Sequence, residues 1–198
     1  MIKYLNGSDI MKTPNYIDAK KRNFEKVNII RDFKINDELK NIGSNKKYLI
    51  KTYGCQMNER DSENISAILE NMGYKKAIDY NDADLIILNT CAIRENAHNK
   101  VFGMLGRLKH MKEERPLMIG LCGCMAQEAS VVDSILRDYK WVNFVFGTHN
   151  MYQLPEIIDK AIEENKQQIE VFSREGDLIE GLPVLRVNNY KAYVNIIY

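Results

Sequence analysis

Apolar strand-like runs alternate with amphipathic helical segments, and this is the feature that most constrains the fold of the chain. The runs KYLIKTY (47–53), DLIILNT (84–90) and LMIGL (117–121) are short and mostly apolar. Each is followed by a segment whose apolar residues recur at helical spacing. Strands that alternate with helices form parallel βαβ units, so the sequence predicts a parallel sheet covered by helices on both faces.

The same pattern continues to residue 164 and predicts five strands. The other two strands are expected near 75–79 and at 143–147, and helices are expected at 58–72, 93–114, 126–138 and 150–164. We therefore expect an α/β domain over residues 47–164. Its sheet is expected to be flavodoxin-like or Rossmann-like, with the strand order 2-1-3-4-5.

The two flanks of this domain have a different character. Residues 1–46 show no sustained periodicity, and residues 1–47 hold 11 Lys/Arg against 6 Asp/Glu. We expect a basic, partly disordered extension, which either attracts RNA phosphates or is simply a solvated arm. Residues 166–183 are expected to be a linker. The apolar segment 184–198 is expected to be a strand that pairs with another chain or makes a non-native contact.

The composition of the chain indicates the cellular compartment in which the protein is expected. The sequence has no run of 18 apolar residues and no apolar stretch near its N-terminus, so we predict neither a membrane span nor a signal peptide, and a cytoplasmic location. The net charge of +1 argues neither for nor against nucleic acid. In a reducing compartment the four cysteines are not expected to form disulfides. Metal binding, catalysis or plain burial remain.

The cysteines follow strands that are neighbours in the expected sheet. Cys55 follows the first strand, Cys91 the third, and Cys122 and Cys124 the fourth. Because sites in such sheets form beyond the carboxyl ends of the strands, three cysteine-bearing loops should converge. Three thiolates could hold three irons of a cubane cluster and leave the fourth iron open. Buried cysteines, a four-cysteine zinc site or a thiol nucleophile are the alternatives.

Cys122 and Cys124 compete for the third ligand position. Gly123 gives Cys124 the conformational freedom to turn toward the site, whereas Cys122 still belongs to the end of the strand. We therefore expect Cys124 to be the ligand and Cys122 to pack in the core.

Polar residues near the same end are candidate site residues. Asn58 is expected to be the N-cap of its helix, and Gln56 lies in the loop that carries Cys55. Asn89 and Thr90 precede Cys91 and could hydrogen-bond cluster sulfurs or stabilise the turn. Arg94 could meet RNA phosphate or a substrate base, or be an ordinary surface charge. The segment YGCQMNERDS has no glycine-rich phosphate loop, which argues against a nucleotide or flavin carrier.

Three long motifs resemble a known family. YGCQMNERDSE (53–63), LNTCAIRENAHNKVFGMLGRLK (88–109) and GCMAQE (123–128) are similar to the tRNA methylthiotransferases. GCQMN and CAIRENA indicate the branch that acts on N6-isopentenyladenosine. The branches that act on threonylcarbamoyladenosine of tRNA or on a ribosomal protein usually have other residues after the first cysteine, and they remain the alternatives within the family.

The resemblance implies a cofactor, a reaction and partners. Cys55, Cys91 and Cys124 would bind an auxiliary 4Fe-4S cluster. A radical S-adenosylmethionine barrel, with a second 4Fe-4S cluster and S-adenosylmethionine, would follow, and the segment after Leu185 would be its first strand. The whole enzyme would methylthiolate C2 of N6-isopentenyladenosine beside the tRNA anticodon. Its partners would be the tRNA anticodon stem-loop and an electron donor, and the present chain alone would be inactive. A zinc-stabilised α/β interaction module is the alternative from another class.

Overall fold

The structure of the chain is a computed structural model. It describes residues 29–30, 33–92, 95–171, 178–179, 181–186 and 190–193. The main sheet comprises β1 (Lys47–Tyr53), β2 (Lys75–Lys76), β3 (Leu85–Thr90), β4 (Met118–Cys122), β5 (Phe144–Phe146) and β6 (Gln168–Glu170). All its strands are parallel, in the order β2-β1-β3-β4-β5-β6. The predicted parallel α/β class is therefore confirmed.

The sheet has one strand more than the five that the sequence indicated. β6 lies within the expected linker and pairs with β5, with Ile169 opposite Val145. It is short, and Ile169 is its single apolar residue, so it carries no hydrophobic pattern. Such a segment is typical of an edge strand, which needs only backbone hydrogen bonds on one side.

Four α-helices cover the sheet. They are α1 (Gln56–Asn71), α2 (Glu95–Glu114), α3 (Ala129–Asp138) and α4 (Leu154–Glu164). Two of them begin later than expected, because short 3-10 helices at Cys124–Gln127 and Thr148–Gln153 come before α3 and α4. Pro155 lies in the first turn of α4, where its missing N–H breaks no intrahelical bond.

The central strand β3 shows how the two faces of the sheet are filled. Leu85 and Ile87 belong to the core cluster on the side of α1 and α4. Ile86 and Leu88 belong to the cluster on the side of α2 and α3. Every residue of β3 is buried, as expected for the middle of a parallel sheet with helices on both sides.

Part of the N-terminal extension packs on the domain. Leu39 lies in a single 3-10 turn, Asp37–Leu39, and is buried. The Gly43 N–H donates to the Met72 carbonyl at 2.9 Å, just after α1. Residues 1–28 and 31–32, which include most of the expected basic arm, lie outside the described residues. A two-residue parallel pair joins Ile29–Ile30 to Leu178–Ile179.

The C-terminal segment contacts α1 of its own chain. The Leu185 N–H donates to the Glu63 carbonyl at 3.2 Å, and Lys191 Nζ lies 3.3 Å from a carboxylate oxygen of Glu59. Tyr193 also donates its hydroxyl to Glu59. The described residues 181–186 and 190–193 form no strand, contrary to expectation, while 187–189 and 194–198 lie outside the described residues.

In the part of the chain that the structure describes, no helix is both long enough and apolar enough to cross a bilayer.

Candidate functional site

The three expected ligand cysteines lie beyond the carboxyl ends of three adjacent strands. The register pairs Tyr53 of β1 with Thr90 of β3, and Asn89 of β3 with Cys122 of β4. Cys55, Cys91 and Cys124 therefore follow their strands by one or two residues at the same edge of the sheet. The expected convergence of the three loops is confirmed, whereas their role as cluster ligands stays a prediction.

The Cys55 loop is very short. Only Gly54 and Cys55 separate β1 from α1, and Cys55 is the N-cap of that helix in an extended conformation. A Cβ on Gly54 would lie 2.1 Å from Oδ1 of Asn58, so only glycine leaves room for that amide. The helix N-terminus presents backbone N–H groups to its surroundings.

Asn58 is therefore not the N-cap that we predicted. Because α1 starts at Gln56, Asn58 occupies the third helical position, and its side chain reaches back to accept a hydrogen bond from the Cys55 N–H at 3.1 Å. This is the returning half of a capping box, with an amide in place of the usual Glu or Gln.

Cys91 is held directly by the neighbouring strand. Its N–H donates to the Tyr53 carbonyl at 3.0 Å, and its residue is 2% exposed. The hydroxyl of Thr90 donates to the Cys122 carbonyl at 3.0 Å, which ties the end of β3 to the end of β4.

Gly123 determines where Cys124 goes. Its φ of +96° is a conformation that L side chains rarely adopt, and a Cβ there would lie 2.2 Å from the Thr90 carbonyl oxygen. The turn directs the chain out of β4 into the 3-10 helix that begins at Cys124. Cys124 is half-buried, whereas Cys122 is buried among the core residues on the α1 side, where we expected it to pack.

Neighbouring negative charges add to the effect of burial on the pKa of both Cys122 and Cys124. Burial raises the pKa of Cys124, and negative charge on Cys91, Asp61 and Cys55 raises it further. Burial raises the pKa of Cys122 well above its usual range, with smaller contributions from Asp61 and Cys124. Cys122 is therefore the poorer thiolate, and Cys124 is the one that shares its surroundings with both other candidate ligands.

Asp61 and Ser62 are site residues that the sequence analysis missed. Burial raises the pKa of Asp61 from 3.8 to about 6, and Arg60 opposes the shift in part. The Ser62 hydroxyl shares a hydrogen bond with Thr52 at 2.8 Å. Both residues follow Asn58 at the spacing of three and four that places residues on one helix face, and this spacing was the available signal.

The remaining predicted residues divide into three groups. Asn89 and Thr90 are fully buried beside the three loops. Gln56 is exposed, as is the neighbouring Met57, at 62%. Arg94 lies outside the described residues.

Cysteine thiols are the ligand type that iron–sulfur clusters take. Among the residues that the structure describes, no three His, Cys, Asp or Glu side chains are close enough to share one metal ion. A four-iron cluster takes each thiolate on a different iron, so its ligands are spaced more widely than those of zinc. Three thiols on three loops, with a soft sulfur donor on each, fit such a cluster, and Cys55, Cys91 and Cys124 would hold it.

Comparisons with known proteins show which family the chain belongs to. Residues 47–147 match the family described as "Uncharacterized protein family UPF0004". The chain is also 52% identical over 190 residues to the tRNA-2-methylthio-N(6)-dimethylallyladenosine synthases of Staphylococcus aureus strains JH9, Newman and JH1. These alignments cover 96% of this chain and 37% of each relative, so the chain spans little more than a third of their length. Because the family match covers half of the sequence, from β1 to the end of β5, the chain belongs to the UPF0004 family.

Proposed function

We propose that this chain is the cluster-binding domain of a radical S-adenosylmethionine enzyme that methylthiolates tRNA. The target would be C2 of N6-isopentenyladenosine next to the anticodon. The observation that carries the proposal is the convergence of Cys55, Cys91 and Cys124 on one sheet edge, with Cys124 electrostatically coupled to both others. The identity of 52% to enzymes named for dimethylallyladenosine favours this branch over those for threonylcarbamoyladenosine or a ribosomal protein.

The three cysteines would supply the only protein ligands of an auxiliary 4Fe-4S cluster. A bound cluster of this kind would provide the sulfur that replaces the hydrogen on C2 of the base. Cys55, Cys91 and Cys124 would hold three irons of the cluster by their thiolates, and this chain would supply no fourth thiolate from these three loops. The half-buried position of Cys55 and Cys124 and the exposure of Met57 keep this edge of the sheet open to a substrate.

The other half of the chemistry would belong to the whole protein. A second 4Fe-4S cluster and S-adenosylmethionine, held outside this chain, would supply the radical chemistry at C2 of the base, with an electron donor as a partner. The tRNA anticodon stem-loop would be the macromolecular partner, in the cytoplasm. This chain by itself should not catalyse methylthiolation.

Anaerobic reconstitution with iron and sulfide tests the proposal. We expect a brown protein with about four irons and four sulfides per chain and broad absorbance near ~400 nm. Each of the three substitutions Cys55→Ala, Cys91→Ala and Cys124→Ala should abolish binding of the cluster. Tight binding of one zinc ion per chain, with no uptake of iron and sulfide, would instead support the zinc-stabilised module.

Self-association through residues 184–198 is tested separately. Among the described residues of this segment, Leu185 and Lys191 contact α1 of the same chain. Size-exclusion chromatography with and without residues 184–198 would decide. If both forms elute as the same monomer, the pairing hypothesis fails.

A further inference from the structure

A single buried amide touches two of the cysteine loops directly. Asn58 is fully buried, and its Oδ1 accepts from the Cys55 N–H at 3.1 Å and from the Cys55 thiol at 3.4 Å. Its Nδ2 donates in the other direction, to Oδ1 of Asn89 at 3.0 Å and to the Thr90 carbonyl at 3.2 Å. One side chain thus joins the loop after β1 to the end of β3, which carries Cys91.

Asn89 also donates hydrogen bonds to α1, and it lies against the loop that leads to Cys124. Its Nδ2 donates to the Asn58 carbonyl at 2.8 Å and to the Ser62 hydroxyl at 2.9 Å. Gly123 packs so closely on the same group that an added Cβ would lie 2.6 Å from Oδ1 of Asn89. The loop that leads to Cys124 therefore packs against the side chain of Asn89, which is hydrogen-bonded to Asn58.

These contacts exceed what helix capping requires. To cap the Cys55 N–H, a side chain needs one acceptor oxygen, which an aspartate would provide equally well. The donor end of Asn58 makes no contribution to the cap and is directed at another strand. A buried amide that uses both ends in this way fixes two pieces of backbone relative to each other, because either piece would leave an unsatisfied polar group if it moved.

We propose that Asn58 is a positioning residue that holds Cys55 at a fixed place relative to Cys91 and Cys124. The inference rests on the proposed cluster site and deepens it. A cluster held by three thiolates instead of four has fewer protein bonds to offset the cost of gathering separate loops. Loops that are already joined through an amide pair need less ordering when the cluster binds. Residues that hold metal ligands from outside the coordination shell typically change affinity about 10–100-fold when they are replaced.

Two substitutions distinguish the role of the acceptor oxygen of the Asn58 amide from that of its donor nitrogen. Asn58→Asp keeps the size and the acceptor for the Cys55 N–H but loses the donations to Asn89 and Thr90. Asn58→Ala loses both ends. Asn71→Ala is the matched control, since Asn71 lies at the other end of α1 and its amide donates only within the helix, to the Ala67 carbonyl at 2.9 Å.

The first readout is the reconstituted cluster. After anaerobic loading with iron and sulfide, we would measure the rate at which a ferrous chelator removes iron, together with the electron paramagnetic resonance spectrum of the reduced cluster. We expect both Asn58 variants to release iron about tenfold faster or more and to show an altered spectrum. The Asn71 variant should match the parent chain.

The second readout uses the cluster-free protein and is independent of any metal. Iodoacetamide labelling, resolved by mass spectrometry, gives the reactivity of Cys55 relative to Cys124 in the same molecules. Asn58→Ala should raise this ratio about fivefold or more, because Cys55 loses its backbone anchor. Asn58→Asp should not raise it, since the anchor remains.

Three results would be decisive against the inference. Unchanged iron release and an unchanged labelling ratio in folded Asn58→Ala would overturn it. Loss of the folded circular dichroism spectrum in both Asn58 variants would show a purely structural role and would also overturn it. If the parent chain takes up no four-iron cluster, the proposed function fails. In that case the labelling ratio of cluster-free Asn58→Ala still tests the positioning role, and an unchanged ratio overturns it.

Discussion

Asp61 is a mostly buried carboxyl group at the candidate site, and we expect its replacement to give a measurable gain in the free energy of unfolding. The residue lies on the α1 side of the site, where its charge contributes to the raised pKa of both Cys122 and Cys124. Burial raises its own pKa from 3.8 to about 6, so the folded protein holds the charged form at a cost when the pH is neutral. We therefore predict that Asp61→Asn stabilises the fold.

The magnitude follows from the shift in pKa. A pKa that rises from 3.8 to about 6 corresponds to about 3 kcal/mol at roughly 1.4 kcal/mol for each tenfold change in proton affinity. Because the side chain is partly exposed, solvent reduces this figure, and we expect a gain of about 1–3 kcal/mol in the free energy of unfolding. For a chain of this length, that gain corresponds to a rise in melting temperature of roughly 2–10 °C.

The sign depends on pH. Below pH 3.8 the carboxyl of Asp61 is protonated in both the unfolded and the folded state, so its titration does not lower the free energy of unfolding. Between pH 3.8 and about 6 the unfolded chain loses its proton first, so the parent protein loses stability relative to the variant as the pH rises. Above about pH 6 the difference stays constant.

Urea unfolding of the parent and of Asp61→Asn at pH 4 and pH 7.5 measures this difference. The exposed Asp133 of α3 provides the control, Asp133→Asn, for which we expect only a small change in the free energy of unfolding because the side chain is in water. A second readout is the pH at which iodoacetamide labels Cys124 half-maximally, which should fall in Asp61→Asn because a neighbouring negative charge is gone. The reasoning is refuted if the Asp61 variant gains the same stability at pH 4 as at pH 7.5.

Three further predictions concern the backbone and the ligand choice. Gly123→Ala should lower the free energy of unfolding by about 2 kcal/mol or more in urea titrations, since the added Cβ meets the Thr90 carbonyl at 2.2 Å in a strained backbone. Gly103→Ala, in the middle of α2, should raise the free energy of unfolding by about 0.5–1 kcal/mol in the same assay, because no described atom apart from the adjoining residues and the backbone of α2 itself lies within 4 Å of the new Cβ. Cys122→Ala should retain iron after reconstitution while Cys124→Ala loses it, and equal loss of iron in both would show that the third ligand was wrongly chosen.

The sheet topology and the meeting of the three cysteine loops could be predicted from the sequence. Strands such as β3 are continuous apolar runs, and helices such as α2 carry a regular apolar stripe, so their types and order are clear. In a parallel sheet the order of the strands determines which loops are neighbours. The positions of Cys55, Cys91 and Cys124 therefore followed from topology alone, without any knowledge of side-chain contacts.

Features that depend on contacts between distant residues could not be predicted in this way. β6 has a single apolar residue and forms because the β5 edge offers unpaired backbone groups. Asparagine is common at N-cap positions, so Asn58 was predicted to be the N-cap. The helix in fact starts earlier, at Gln56, and this places Asn58 inside the first turn. The raised pKa of Asp61 arises from burial by other elements, which leaves no mark on the local sequence.

The different roles of Cys122 and Cys124 illustrate how one residue separates a core position from a site position. Side chains two apart in a regular strand point to the same face, so a straight continuation of β4 would direct both thiols into the core beside α1. Gly123, at a φ of +96°, breaks this alternation, and an added Cβ would lie 2.2 Å from the Thr90 carbonyl oxygen, which leaves no room for another residue type. Cys122 consequently remains with the core, where burial raises its pKa furthest, while Cys124 enters a 3-10 helix beside Cys91 and Cys55. Under the proposed function, the backbone of Gly123 is what makes Cys124 rather than Cys122 the third ligand, and we expect a side chain at that position to move Cys124 away from the other two thiols.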